Sequence, residues 1–370
     1  MNVLASGGFW AFVGVVAGIY TILALGLQVQ FGFAGLLNFG QVGFMAIGAY
    51  TMAILVVKEG WSTWLAAPLG IAAAAAAGLL VGLPALRLRA DYFAIVTIAF
   101  SEIVRYVATN ETTLTGGSQG TIALGPIGTA TQYNGEWSRF QAHVRHALGL
   151  SSGDATMLVI VWAVAVVLLA LTWLVLRTPW GRVLRAIRDD EDAAASLGKN
   201  VFAYKLQALA LGAALVLLTL VWLAVRTPWG RVLRAIREDE DAAASLGKNV
   251  FAYKLQVLAT GSALAGIAGC FYAWQFSFFS PDDFQPLLTF FAWMILLLGG
   301  LGRVWAVPVG SLVFGFIFAG TRFLDFAPFT WFGSDERAYL RLIIIGLIIV
   351  LLVMLRPQGL LGNRREMVLE

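Results

Sequence analysis

Long apolar runs separated by short polar or basic stretches dominate the chain, and their lengths set the fold. A hydrocarbon core about 30 Å thick takes roughly 20 helical residues to cross. Runs of that order occur near 8–28, 39–57, 62–86, 91–108, 155–176, 203–225, 252–276, 286–301, 304–323 and 338–355. Strands of a membrane barrel would alternate apolar and polar residues over about ten positions. The stretch 71–78, nearly all alanine, does not alternate. The pattern therefore predicts an all-α fold, a polytopic transmembrane helix bundle of about nine to ten helices, forming a single domain over residues 1–370.

Composition agrees. The chain is 59% hydrophobic and 12% charged, with a mean hydropathy of +0.81, whereas soluble domains run near 25% charged. The opening MNVLASGGFW has no basic residue before its apolar run, so a cleaved secretory leader is not expected. The single cysteine, Cys270, lies inside an apolar run and has no partner for a disulfide. The net charge of +4 could suggest nucleic acid, but Lys and Arg gather at the ends of apolar runs. There they set orientation, because cytoplasmic loops carry the excess of positive charge. No nucleic-acid partner is expected; the neighbour is membrane lipid.

Three regions carry that positive charge: Arg87 with Arg89, a duplicated loop, and a tail with Arg356, Arg364 and Arg365. They are expected inside, and the Gly-, Thr- and Ser-rich segment 109–153 outside. The duplication is close. Residues 168–214 recur at 217–263, and between 177–207 and 226–256 only Asp189 against Glu238 differs. Structural repeats of a solenoid drift apart far more than this, so the text reads as a recent tandem copy. One extra crossing at 203–225 would put the second basic loop and the tail outside, against the charge rule twice. Leaving 203–225 out of the count restores agreement. We therefore expect one helix-plus-loop unit to be surplus to the bundle, with the C-terminal tail cytoplasmic.

The copied loop has a readable design. Thr178-Pro179 suits a helix start. Arg182, Arg185 and Ala186 share one face and Val183, Leu184 and Ile187 another. The acidic run 189–192 precedes three alanines, placing negative charge at the start of a second short helix, and Gly198 can end it. Two short amphipathic helices on the cytoplasmic side would make a docking surface; the plainer alternative is a solvated loop with anchoring charges.

At this point the chain resembles a known family, the permease subunits of ABC importers for branched-chain amino acids, of the LivM type. The resemblance rests on QVQFGFAGLLNFGQVGFMAIGAYT (28–51), RLRADYFAIVTIAFSEIVRYV (87–107), LTGGSQG (114–120), the GR..RAIR.DEDAA.SLG loop, LAGIAGCFYA (264–273), LLLGGLGRVWAVPVGS (296–311) and RPQGLLG (356–362). It implies that the loop is the coupling segment that docks on a cytoplasmic ATP-binding subunit. The implied contacts are Gly181, Arg182, Arg185, Ala186, Arg188, Asp192, Ala193, Ala194 and Gly198. Gly230, Arg231, Arg234, Ala235, Arg237, Asp241, Ala242, Ala243 and Gly247 form the second set. The family has one such loop, so two loops leave open which one docks. The resemblance also implies a second related permease subunit, a periplasmic or lipid-anchored substrate-binding protein, and a bacterial inner-membrane location. Substrates in the superfamily are aliphatic amino acids, urea or short amides.

No cofactor is expected in this chain. A P-loop needs Gly, four residues, then Gly-Lys-Ser/Thr, whereas Gly198-Lys199 and Gly247-Lys248 are each followed by Asn. ATP and Mg would be bound by the partner ATPase. His143 and His146 lie one helical turn apart, but without a third ligand nearby a metal site is not expected. No cluster of His, Asp, Glu or Cys at catalytic spacing occurs within the apolar runs, so an embedded enzyme is disfavoured. A transporter independent of ATP remains the rival reading.

Polar groups inside apolar runs are costly and mark functional candidates. Asn38 and Gln41 sit among Gly32, Gly35, Gly40, Gly43 and Gly48. Those glycines either break the helix to line a cavity or let helices pack closely. Thr97, Ser101 and Glu102 form a second polar stripe, with Arg105 placed to pair with Glu102. These five are the substrate-pathway candidates, although a structural ion pair suits Glu102 better. Glycine clusters in LTGGSQG and at 299–302 predict left-handed or hinge-like backbone.

Overall fold

A computed structural model describes residues 7–33, 35–88, 90–124, 135–177, 250–301 and 303–320, with isolated positions from 343 to 361. All regular structure among the described residues is helical. α1 (Gly7–Leu27) continues as a π-helical turn, Gln28–Phe33. α2 (Gln41–Ala53) likewise widens at Ile54–Lys58. α3 (Thr63–Ala85) and α4 (Ala90–Asn110) follow. Between α4 and α7 (Gly153–Arg177) lie the short α5 (Thr112–Thr115), a 3-10 stretch Gly117–Leu124 and α6 (Gly135–Leu148). After residue 249 come α8 (Val250–Phe276), a 3-10 turn Pro281–Phe284, α9 (Leu287–Gly299) and α10 (Ala306–Gly320).

Six of these helices are long and apolar enough to cross a membrane. Their burial ranks them. Within the apolar windows, 78% of α1 and 72% of the α8 span are buried, against 33%, 22% and 33% for the spans in α3, α4 and α7. α1 and α8 are therefore central. α8 packs on α1, α2 and α3, and α1 also meets α7, α9 and α10. Lipid tails are as apolar as leucine, so helices in a membrane associate by close packing rather than by hydrophobic exclusion. Glycine makes that possible at the α2–α3–α8 junction. A Cβ on Gly48 would come within 2.6 Å of the Gly266 Cα, and one on Gly70 within 2.6 Å of the Gly48 carbonyl. The peripheral helices turn Leu80, Ile95, Ile103 and Val167 outward, each more than half exposed.

Contacts along the helices fix their directions. Gly14 and Gly18 meet Leu158 and Val161, so α7 runs parallel to α1; Ala17 meets Gly315 and Thr21 bonds Ser311, so α10 runs against it. α3 opposes α2 and α8 in the same way, through Gly70 with Met52, Gly78 with Ser262 and Gly82 with Leu258. Arg177, Val250, the α9–α10 turn and Leu360–Leu361 consequently share the end where α1 finishes. There the Arg87 guanidinium lies over Phe251 at 6.0 Å, and Leu360 and Leu361 donate to the Leu298 and Gly299 carbonyls at 2.8 and 2.9 Å. α7 ends in the first copied block and α8 begins in the second. The two together carry the flanks of one repeat unit. The copied loops and segment 203–225 lie outside the described residues, as does most of 338–355.

Two expectations need correction. The polar segment 109–153, expected as an outer loop, contains a helix: α6 is amphipathic, and its Trp137 is buried by stacking on Trp274, ring centroids 4.1 Å apart. Polar composition hid that helix because only one face needs to be apolar. The run 39–57 also begins its helix later, at Gln41, because residues 35–40 leave helical geometry.

Candidate functional site: a broken helix and an outer latch

The break at 35–40 lies inside the bundle, where unpaired backbone groups are expensive. The chain turns through Gly35, whose φ of 68° is the left-handed region that glycine enters freely. Some of the freed groups pair locally: the Gly35 and Leu36 amides donate to the Phe31 and Gln30 carbonyls, both at 3.0 Å. Side chains of the break itself, of α4 and of α9 pair with others. Asn38 Oδ1 accepts from the Gly40 amide at 2.8 Å. Thr97 Oγ1 on α4 accepts from the Phe39 amide at 3.1 Å. Thr289 Oγ1 on α9 accepts from the Val42 amide at 3.0 Å, and Trp293 Nε1 donates to the Asn38 carbonyl at 2.9 Å.

An amide network ties these together. Asn38 Nδ2 donates to Gln30 Oε1 at 2.8 Å and to Gln41 Oε1 at 3.0 Å. Gln30 and Gln41 in turn donate to the Leu258 and Gly261 carbonyls of α8, at 3.2 and 2.8 Å. Gln30, Asn38, Gln41, Thr97 and Thr289 are all fully buried. The helices approach because there is no room for more: a Cβ on Gly40 would strike the Thr97 carbonyl, and one on Gly261 the Gln30 amide. Neutral amides suit this place, since an ionised group would carry a far larger desolvation cost.

The structure thus brings Asn38, Gln41 and Thr97 into one network, and the glycines act in both expected ways, breaking the helix at Gly35 and packing it at Gly40 and Gly48. Ser101 stands apart. Its hydroxyl donates to the Ile98 carbonyl on its own helix, and its backbone sits against Gly43. Gln30, Thr289 and Trp293 were missed, although Gln30 and Thr289 obey the same rule of polar groups in apolar runs.

Glu102 belongs to a different region. Arg105 Nη2 pairs with Glu102 at 2.9 Å, and Arg105 Nη1 reaches Asp282 of the 281–284 turn at 3.1 Å. Beside it, the Thr121 amide donates to the Phe279 carbonyl at 3.0 Å while Thr121 Oγ1 accepts from the Phe279 amide at 3.2 Å. Gly120, at φ 62°, allows this approach. Gly116 and Gly117 of LTGGSQG are also left-handed, as is Gly300 in φ. Ser277 takes φ 56° without being glycine, a conformation that costs energy and is held by its surroundings. It turns the chain from α8 into a segment whose Phe279 and Phe284 are buried. Nearby, Glu136 accepts from Ser62 Oγ at 2.7 Å and the Thr63 amide at 2.8 Å, capping α3. The Ser62 hydroxyl, then the Thr63 amide, holds its carboxyl below the usual range.

A sequence model described as the permease component of the branched-chain amino acid transport system matches residues 10–216 and again 212–353, the two matches meeting in the copied region. The high-affinity branched-chain amino acid transport system permease protein LivM of Escherichia coli K12 is 32% identical over 357 residues, 94% of this chain and 68% of that protein. The chain belongs to this permease family. A probable LivM of Methanocaldococcus jannaschii is 27% identical over 53% of this chain and 61% of its own length. The LivH permease of Escherichia coli K12 is 26% identical over 55% and 65%. No solved structure matches. As a member of the family, this LivM-type chain is a multi-pass membrane transport subunit rather than an enzyme.

Proposed function

We propose that this chain is one of two permease subunits of a bacterial inner-membrane ABC importer, moving branched-chain or other apolar amino acids inward. A separate ATPase binds ATP and Mg, and a binding protein delivers the solute. The observation that carries this reading is the family match, which runs along nearly the whole chain and extends to both LivM and LivH proteins. The broken α1–α2 connection supports it, because irregular backbone within a membrane is tolerated where it is buried in protein or lines a cavity. In this reading Asn38, Gln41 and Thr97 shape the wall of the route by holding non-helical backbone in place. Ser101 and Glu102 border it on α4.

Coupling is assigned to the duplicated loop, whose candidate contacts from 181–198 and 230–247 lie outside the described residues. ATP closing the ATPase dimer biases a two-state equilibrium through that contact. The test is leucine uptake into proteoliposomes holding the full complex, with 177–225 deleted in one variant. Uptake that needs ATP and survives the deletion supports the reading with one copy dispensable. Uptake that proceeds with no ATPase present overturns it.

A further inference from the structure

We propose that the Tyr50 hydroxyl is a substrate-binding group, hydrogen-bonded to the carboxylate of an aliphatic amino acid when the segment 277–286 swings away from it. This rests on the importer reading above and adds a contact residue to it.

Tyr50 lies on α2, 5% exposed, and its hydroxyl is buried with no hydrogen-bond partner among the described residues. Buried polar groups are paired in the great majority of cases, and an unpaired one calls for a reason. Leaving a hydroxyl unmet costs about 1–3 kcal/mol, so a purely structural role would be better filled by phenylalanine. The phenol has a different value if a partner arrives in another state of the transport cycle.

What surrounds it fits an amino acid with an apolar side chain. The Tyr50 ring meets Phe279 at 5.1 Å and Phe284 at 5.9 Å, and Tyr272 closes on Phe284 at 5.5 Å. Phe279 and Phe284 belong to the segment that the outer contacts hold in place, Thr121 on Phe279 and Arg105 on Asp282. Beyond Tyr272 a cavity of about 250 Å³ continues between α1, α8 and α10, lined by Phe12, Val16, Ile19, Tyr20, Phe276 and Phe314 among others. Its lining side chains are apolar apart from those of Tyr20 and Tyr272. Urea or a short amide, polar on every side, would leave most of its groups unpaired there. A leucine-like solute needs polar partners at one end only. The Tyr50 hydroxyl can donate to the carboxylate end of such a solute.

In the state seen here Phe279 and Phe284 occupy the place of the solute, and the hydroxyl is stranded. Opening breaks the partly exposed Arg105–Asp282 contact and the buried Thr121–Phe279 bonds, and leaves the amide network in place. Tyr50 is thus a contact that only the loaded state satisfies, which is the kind of interaction that makes a transition depend on its cargo.

The experiment compares wild type with Tyr50→Phe in the complete permease–ATPase complex in proteoliposomes, with saturating binding protein and radiolabelled leucine. Expected are an unfolding midpoint of the purified complex equal to or above wild type and about ten-fold less leucine carried per ATP hydrolysed, the loss of one hydrogen bond to a charged group. Unchanged leucine per ATP overturns the proposal. A lowered unfolding midpoint also overturns it, because the hydroxyl then has a structural partner. A wild-type complex that carries no leucine contradicts the importer reading instead.

Discussion

Two clusters of polar side chains both involve α4, and they are built oppositely. The inner one, Gln30, Asn38, Gln41, Thr97 and Thr289, is neutral, fully buried and bonded to backbone on three sides. The outer one, Glu102, Arg105 and Asp282, is charged; the Asp282 side chain is 71% exposed and the Arg105 side chain 18%. Opening the inner cluster strands amides and backbone groups away from water, at about 1–3 kcal/mol for each group left unpaired. Opening the outer one returns ions to solvent, and exposed pairs contribute about 0–1 kcal/mol. The inner cluster is a fixed hub and the outer one a latch that a modest bias can release.

The largest effect should come from Asn38→Leu. It removes both amide bonds and strands Gln30 Oε1, Gln41 Oε1 and the Gly40 amide, a loss of at least ~3 kcal/mol, read as collapse of folded complex in detergent. Gly40→Ala comes next. Its methyl strikes the Thr97 carbonyl, and overpacking of this kind costs about 1–3 kcal/mol, visible as a lowered unfolding midpoint. Arg105→Gln should leave that midpoint nearly unchanged, within about 1 kcal/mol, while weakening the hold on 281–284. An Arg105→Gln complex as unstable as Gly40→Ala would erase the distinction between hub and latch. The smallest change belongs to Glu136→Gln at the α3 cap. Because the folded carboxyl titrates below its ordinary value, its contribution is present above the unfolded pKa and fades only as pH falls through the lowered one. The variant and wild type should therefore converge in strongly acid solution and differ slightly at neutral pH.

Much of the hub was legible. Asn38 and Gln41 stand out because polar residues in apolar runs must find partners, and the glycines around them announce close approach. Thr97 was legible for the same reason, as was the Glu102–Arg105 pair from its spacing. The link from Arg105 to Asp282 joins residues far apart in the chain, and no local pattern encodes it. Tyr50 was invisible too: a tyrosine in an apolar helix looks ordinary until its hydroxyl is found without a partner. α6 escaped because its single buried face is carried by few residues, Trp137 chief among them. The copied loops, plain as text, lie outside the described residues.

The contrast between hub and latch is tested most directly by amide hydrogen exchange on the complete complex, with and without ATP. Segments 36–43 and 277–284 are compared in each state. The account predicts that 36–43 stays protected throughout while exchange in 277–284 rises when nucleotide binds. Faster exchange at 36–43, with 277–284 unmoved, would contradict it.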